Sequence, residues 1–411
     1  MNSGANRSVD QSRSKSTALG NNSRLYLVIK TAISFRACVL FLVVTLINFF
    51  QVVVAAAAEG SNSGGLVDIG GGRKIYMKCQ GTGSPAVVLV GGRMASADDW
   101  SVADKSAPAV FPQVAKFTRV CAYDRPGTPV GEKPSRSDAV PQPTTSKDAV
   151  ADLHALLSAA GETGPYVLVG HSYGGLVVKL YARTYPKDVA GLVLVDALSE
   201  GLQDALTPEQ WTIQRKLLNG DMREDLALYP AVEWIDPDRS FDQVRAAPPL
   251  PSMPLVVLSA DRPWGPQIPP LIKAGKLPKD MPPDFGYVTD AAQKKAQDQL
   301  ATLVPNAKHI TNTHSGHAIH KEQPQLVVDT IREVVDAVRD PTSWRRSETM
   351  TTPSGKKSVK VLGNHRCQSQ EARLEFGATS QPLILKGSAL SVHSAILSPS
   401  SLSDPRYSYR L

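Results

Sequence analysis

Between residues 66 and 340 two kinds of apolar pattern alternate along the chain. Short, almost wholly apolar runs occur at Ala86 to Val90, Val120 to Tyr123, Tyr166 to Val169, Val189 to Val195 and Leu255 to Ser259, and His309 to Thr311 reads as a further short strand. Between them lie stretches of helical period. Ser146 to Ala160 sets Val150, Leu153, Leu156 and Leu157 on one face, with Ser146 as the expected cap, and Pro324 to Val338 does the same with Val327, Ile331, Val334 and Val338. A run that is apolar at successive positions suits a strand covered on both sides. Such strands alternating with amphipathic helices predict an α/β protein with a mostly parallel sheet between helical layers. Leu66 to Ile69 and Lys74 to Cys79, split by Gly70-Gly71-Gly72, read as a hairpin. Ala97 to Lys116 reads as helical or loop-rich.

Two excursions interrupt the alternation. Residues 198–250 carry weaker helical signals at Thr207 to Leu218 and Met222 to Leu228, and read as a lid insertion over the C-terminal ends of the strands, where open α/β sheets place their sites. Residues 262–300 are rich in Pro and Lys. Outside the patterned region, residues 1–36 and 341–411 are polar and aperiodic and are expected to be disordered, and 59–65 read as a linker.

The run from Ala37 to Ala58 contains no charge and can cross a bilayer. Arg7, Arg13, Lys15, Arg24, Lys30 and Arg36 precede it, against Asp10 alone. That asymmetry puts the N-terminus in the cytoplasm and the main domain on the other side of a membrane. The end Ala55-Ala56-Ala57-Ala58 also resembles a signal-peptidase site. The expectation is a transmembrane signal anchor, or a secreted protein if the segment is cleaved.

The formal charge of the 411-residue chain is +7, but the basic excess sits in the two ends and residues 60–340 are mildly acidic. No basic stripe with interleaved aromatics occurs there, which argues against a nucleic-acid partner. Of the four cysteines, Cys79 and Cys121 fall in expected strands. Export would permit a disulfide between them; otherwise they are buried thiols. No C-x-x-C spacing suggests a metal site.

Chemistry concentrates at Gly170-His171-Ser172-Tyr173-Gly174, a G-x-S-x-G between an apolar run and an amphipathic one. In a strand–turn–helix of this kind the serine sits at the tip of a sharp turn, with glycines two residues before and after relieving the crowding. A serine hydroxyl needs a general base. His171 adjoins the serine and points the wrong way, while His314, His317 and His320 follow the last strand. Gly316 allows a tight loop that presents His317. A three-histidine metal site is the alternative for that cluster. The imidazole needs an acid to orient it. Asp196 and Asp261 each end a strand and remain alternatives, with Asp261 preferred. Two backbone amides would hold an oxyanion: Tyr173 after the nucleophile and Arg93 in the Gly91-Gly92-Arg93-Met94 loop.

The ordered set VVLVGG, CAYDRPG, GHSYGG, GLVLVDA, LVVLSADRP and SGHAIHKEQP resembles the α/β-hydrolase fold superfamily, in its serine-hydrolase group of esterases, lipases and peptidases. The resemblance runs from about Leu66 to Asp340. It implies an eight-stranded sheet, a Ser–acid–His triad and no cofactor, and a structural role for Asp124-Arg125. Two departures stand out: Gly91-Gly92 where many members have His-Gly, and an Asp261 placed earlier than the acid in many members. Ser172 at the elbow excludes the aspartate-nucleophile relatives.

The expected function is cleavage of a carboxylic ester of a small or medium-sized molecule through an acyl-enzyme on Ser172. The alternatives on the same core are a peptidase, a thioesterase, an acyltransferase or a non-catalytic ligand receptor. Trp211, Leu217, Leu218, Leu228, Tyr229 and Trp234 either line an acyl pocket or pack the insertion onto the domain.

Overall fold

The computed structural model of the protein describes residues 62–344, except 105–106, 220–228, 276 and 278. The apolar run at 37–58, the N-terminal 36 residues, the tail beyond 344 and the helix expected at Met222 to Leu228 lie outside the described residues. No described helix is long and apolar enough to cross a membrane.

All eight expected strands are present: β1 (Ser63–Gly70), β2 (Arg73–Gln80), β3 (Val87–Val90), β4 (Val120–Tyr123), β5 (Tyr166–His171), β6 (Val189–Val195), β7 (Leu255–Leu258) and β8 (Lys308–Ile310). They form one sheet in the order β1-β2-β4-β3-β5-β6-β7-β8. β1 and β2 make the antiparallel hairpin, β2 runs antiparallel to β4, and every further pair is parallel. This is the α/β-hydrolase sheet that the motifs imply. β1 takes in Ser63, Gly64 and Gly65, so the strand begins inside the stretch read as linker.

The helices flank the sheet. In chain order they are α1 (Val110–Val114), α2 (Ser146–Ala159), α3 (Tyr173–Thr184), α4 (Gly201–Asp204), α5 (Pro208–Asn219), α6 (Pro237–Ala246), α7 (Ile268–Lys273), α8 (Phe285–Leu300), α9 (Ile319–Glu322) and α10 (Pro324–Arg339). Alternate strand residues feed two separate cores, as the period of two along a strand requires. Val88, Val90, Leu168, Leu192, Leu194 and Val257 pack with α2 and α3 on one face. Val87, Leu89, Val167, Val169, Val193 and Val256 pack with α1 and α10 on the other. Cys79 and Cys121 face each other across β2 and β4 and are joined in a disulfide.

Two local expectations need correction. Ser146 is not the cap of α2 but its first residue. Thr145 takes that place, its amide and hydroxyl both donating to Asp148, at 2.8 and 2.7 Å, in a capping box written as T-x-x-D. The 262–300 excursion, read as irregular, ends in the 16-residue α8. The region 97–116, read as helical or loop-rich, holds a 3-10 helix, Ala97–Ser101, and the short α1 joined by loop, as expected.

The segment between β6 and β7 carries α4, α5 and α6. Trp211 lies 5.5 Å from the Phe241 ring and donates its indole N–H to Asp238 at 2.7 Å. It is buried, as is Leu218, and both belong to the main core. Those two pack the insertion rather than line an open pocket. Leu217 packs beside Ile268, Met281 and Phe285, Trp234 is partly exposed, and Leu228 lies outside the described residues.

Candidate active site

The elbow follows from steric crowding. Ser172 sits between β5 and α3 at φ 52°, ψ −123°, a conformation that L residues avoid. The structure holds it there by donating Ser172 N–H to Val195 O at 3.2 Å and by sending the amides of Leu198 and Gly175 to Ser172 O at 2.8 and 2.9 Å. A Cβ on Gly170 would come within 2.5 Å of Gly174 O, and one on Gly174 within 2.1 Å of Val90 O. No side chain fits at either position. The first amides of α3, starting at Tyr173, have no intrahelical acceptor and mark the positive end of the helix dipole.

The strand ladder sets the acid beside the serine. His171 pairs with Val195 in the β5–β6 register, so Ser172 and Asp196 each lie one residue past a paired couple. Asp196 turns at φ 38°. Its amide donates to Leu258 O at 2.7 Å, and its Oδ1 accepts from Ala260 N at 3.1 Å. Its other oxygen, Oδ2, lies 2.6 Å from His317 Nδ1. An ionised carboxylate accepts only, so Nδ1 carries the proton and donates it, and Nε2 is left as the basic nitrogen.

Asp261, the preferred acid on sequence grounds, is placed otherwise. Its two oxygens accept from the amides of His314 and Ser315, each at 2.9 Å. Ser315 O returns the contact by accepting from the amides of Asp261 and Arg262 at 3.1 and 3.0 Å. Partial burial works to raise the carboxyl's pKa, but the two amides prevail and hold it below the usual carboxylate range. Asp261 therefore clips the loop that carries His317 to the end of β7, and the carboxylate on the imidazole is that of Asp196.

The three clustered histidines diverge rather than converge. His314 is exposed and lies 3.7 Å from Asp261, His317 binds Asp196, and His320 Nε2 is 2.9 Å from Asp99 Oδ2. Among the described residues no metal-holding group includes any of them; the group that would qualify by distance contains Cys79 and Cys121, which are disulfide-bonded.

His171 also lies in the site. Its Nε2–H donates to His317 O at 3.0 Å, and its ring centroid is 4.7 Å from that of His317 and 4.3 Å from that of His320. Burial, and then the neighbouring His320 and His317, push the His171 pKa well below the ordinary histidine value. A neutral imidazole thus braces the backbone of His317 from beneath.

The loop after β3 is fixed by a buried ion pair that sequence reasoning missed. Arg125 donates to Gly91 O at 2.7 Å and also to Gly92 O. Its Nε donates to Glu233 Oε1 at 2.6 Å, and Glu233 Oε2 accepts from Met94 N at 2.6 Å. Burial works to lower the Arg125 pKa, but Glu233 beside it prevails and raises it. A Cβ on Gly92 would lie 3.1 Å from Ser172 Cβ, so this loop rests against the elbow. Asp124 is fully buried, accepting from Ala97 N at 2.7 Å and from the Arg136 guanidinium. The structural role implied for Asp124-Arg125 covers both, but a lone glutamate in the insertion gave no sequence signal for Arg125's partner.

Several known proteins are similar to this chain. An uncharacterized protein of Schizosaccharomyces pombe, C23C11.06c, is 36% identical over 88 residues, which are 21% of this chain and 15% of that one. The chain thus spans only a small part of that relative. The uncharacterized protein YqjL of Bacillus subtilis is 31% identical over 220 residues, 52% of this chain and 72% of its own. Among solved structures, a thermophilic esterase from Thermogutta terrifontis is 19% identical with a TM-score of 0.42, covering 67% of this chain and 99% of that one. Residues 87–330 match the alpha/beta hydrolase family, and with more than half of its length so matched the chain belongs to that family.

Proposed function

We propose that the protein is a serine hydrolase that cleaves a carboxylic ester of a small or medium-sized molecule through an acyl-enzyme on Ser172. The observation that carries the reading is the 2.6 Å bond between His317 Nδ1 and Asp196, in a loop braced by the residue preceding Ser172. In this reading Ser172 Oγ attacks the ester carbonyl as His317 Nε2 takes its proton. The new imidazolium is stabilised by Asp196. The amides of Tyr173 and Arg93 receive the oxyanion. Collapse breaks the bond to the alcohol, which leaves with the proton from Nε2. Water then attacks the acyl-enzyme by the same route and frees the acid and Ser172. The insertion between β6 and β7 acts as the lid over this site.

Delivery across a membrane, with the domain anchored or released on the far side, belongs to the same proposal. The Cys79–Cys121 disulfide supports it, because such bonds persist in oxidising compartments.

The test is hydrolysis of p-nitrophenyl esters of graded acyl length by the full chain, beside Ser172→Ala and with fluorophosphonate labelling. Turnover that disappears in Ser172→Ala, together with stoichiometric labelling of Ser172, is expected. A folded protein that hydrolyses none of the esters, or one whose turnover survives Ser172→Ala, refutes the proposal.

A further inference from the structure

The insertion reaches the loop after β3 through Glu233. Glu233 is 1% exposed and lies far from the elbow in sequence, yet its carboxylate meets one group of the loop after β3 and one, after β4, that holds that loop. One is Met94 N–H, at 2.6 Å. The other is Arg125, which holds the carbonyls of Gly91 and Gly92. Because a trans peptide sets its C=O and N–H on opposite sides, a Gly92 carbonyl aimed at Arg125 directs the Arg93 amide away from Arg125. Met94 has a φ of 62°, an unfavourable conformation for a side chain of its size, and the Glu233 bond is what its amide gains there.

Glu233 is itself fixed. Its amide donates to Gly127 O at 2.9 Å, and the strap lies so close that a Cβ on Gly127 would meet Glu233 N at 2.7 Å. On the far side, Ile235 exchanges hydrogen bonds with Asn219 at 2.9 and 3.2 Å, and Thr144 and Asp236 bond the strap to the loop before α2.

We propose that Glu233 is a positioning residue for the oxyanion loop, setting the direction of the Arg93 amide through Met94 and Arg125, so that the β6–β7 insertion controls transition-state stabilisation. This rests on the serine-hydrolase reading of Ser172 and on the oxyanion role of Arg93. A carboxylate from the insertion thus supplies the support of a loop that begins Gly91-Gly92.

The experiment compares full-length wild type with Glu233→Gln, which keeps the size of the side chain and removes the charge facing Arg125. Two quantities are read: kcat and KM on the best p-nitrophenyl ester, and hydrogen–deuterium exchange of the 91–96 and 314–320 peptides. Deleting an oxyanion donor outright lowers kcat by roughly 100- to 1,000-fold; misdirecting one is expected to lower it by about 10- to 100-fold. KM should stay within about 3-fold and the pH profile should keep its midpoint, because the His317–Asp196 pair is untouched. Exchange should accelerate in 91–96 and not in 314–320. An unchanged kcat, an unchanged 91–96 exchange rate, or a loss carried by KM each overturns the proposal. If Glu233→Gln does not fold, Glu233→Asp replaces it: the charge stays beside Arg125, the reach to Met94 is lost, and the same split is required. A wild type without Ser172-dependent turnover sinks the functional reading instead, and the exchange measurement alone then decides whether Glu233 sets the loop.

Discussion

Replacing Asp196 and Asp261 by Asn, one at a time, separates two carboxylates that each follow a strand. In Asp196→Asn the side-chain oxygen can still accept from Ala260 N, now at 3.1 Å, so the turn survives. The new amide donor, however, faces His317 Nδ1, now 2.6 Å from the carboxylate. Two donors cannot share that contact. The imidazole must move its proton to Nε2, the nitrogen that the proposed mechanism requires as base. A wrong tautomer of this kind lowers kcat by about 10⁴-fold, roughly 5.5 kcal/mol at 1.36 kcal/mol per decade. Asp261→Asn loses one of two 2.9 Å bonds to backbone amides. With the side chain 27% exposed, the cost is on the order of 1 kcal/mol of stability, and activity should fall by less than about 10-fold. Steady-state hydrolysis of one p-nitrophenyl ester by both variants, with urea midpoints measured alongside, therefore expects kcat values about 10³ apart. The reasoning is refuted if Asp261→Asn is the more damaged enzyme, or if Asp196→Asn keeps more than a tenth of wild-type kcat.

Other expectations are as direct. Burial depresses the pKa values of both His171 and His320; below about pH 6.5 the unfolded chain binds protons that the native state refuses, so stability should fall by up to about 1.4 kcal/mol per pH unit for each. Urea midpoints at pH 7.5 and 5.5 test this, and a stability that is flat or rises on acidification contradicts it. Gly174→Ala would put a methyl 2.1 Å from Val90 O and 2.6 Å from Gly91 O; a loss of about 1–3 kcal/mol or more and of most activity is expected, and a Tm within a degree of wild type counts against the crowding argument. The Cys79–Cys121 bond closes a separation of 42 residues, for which chain entropy gives about 4 kcal/mol; a double Cys→Ala variant with an unaltered denaturant midpoint would remove that contribution.

Most of the scaffold was legible because its strands are buried on both sides: VVLV, VCAY and LVVL admit little else once bounded by turn residues. The elbow was legible for a steric reason, since glycine alone fits at 170 and 174. What was hidden depends on where strand ends and distant loops meet in space. Asp196 and Asp261 read alike as residues just past a strand, and only the turn at Asp196 and the clip between Asp261 and Ser315 tell them apart. Helix α8 escaped notice because its buried face is built from Ala292, Ala296, Thr289 and Gln297 as well as Phe285 and Leu300, a stripe with little hydropathy contrast. Glu233 and the His320–Asp99 pair are single residues whose partners lie more than a hundred positions away, beyond any local pattern.

The pairing of His171 with Val195 also decides what kind of change this protein can absorb. His171 and Val195, the residues just before Ser172 and Asp196, form one rung of a parallel ladder, about 4.8 Å across, and no loop length enters into that spacing. Remodelling the 198–250 segment, provided that Leu198 and the Glu233 strap are kept, leaves the spacing of serine and acid undisturbed. A single residue inserted into β6 would do the opposite: every side chain beyond it changes face, and the carboxylate turns into the helical layer. The ladder is thus a fixed ruler, and the room for new specificities lies in the segments hung from its ends.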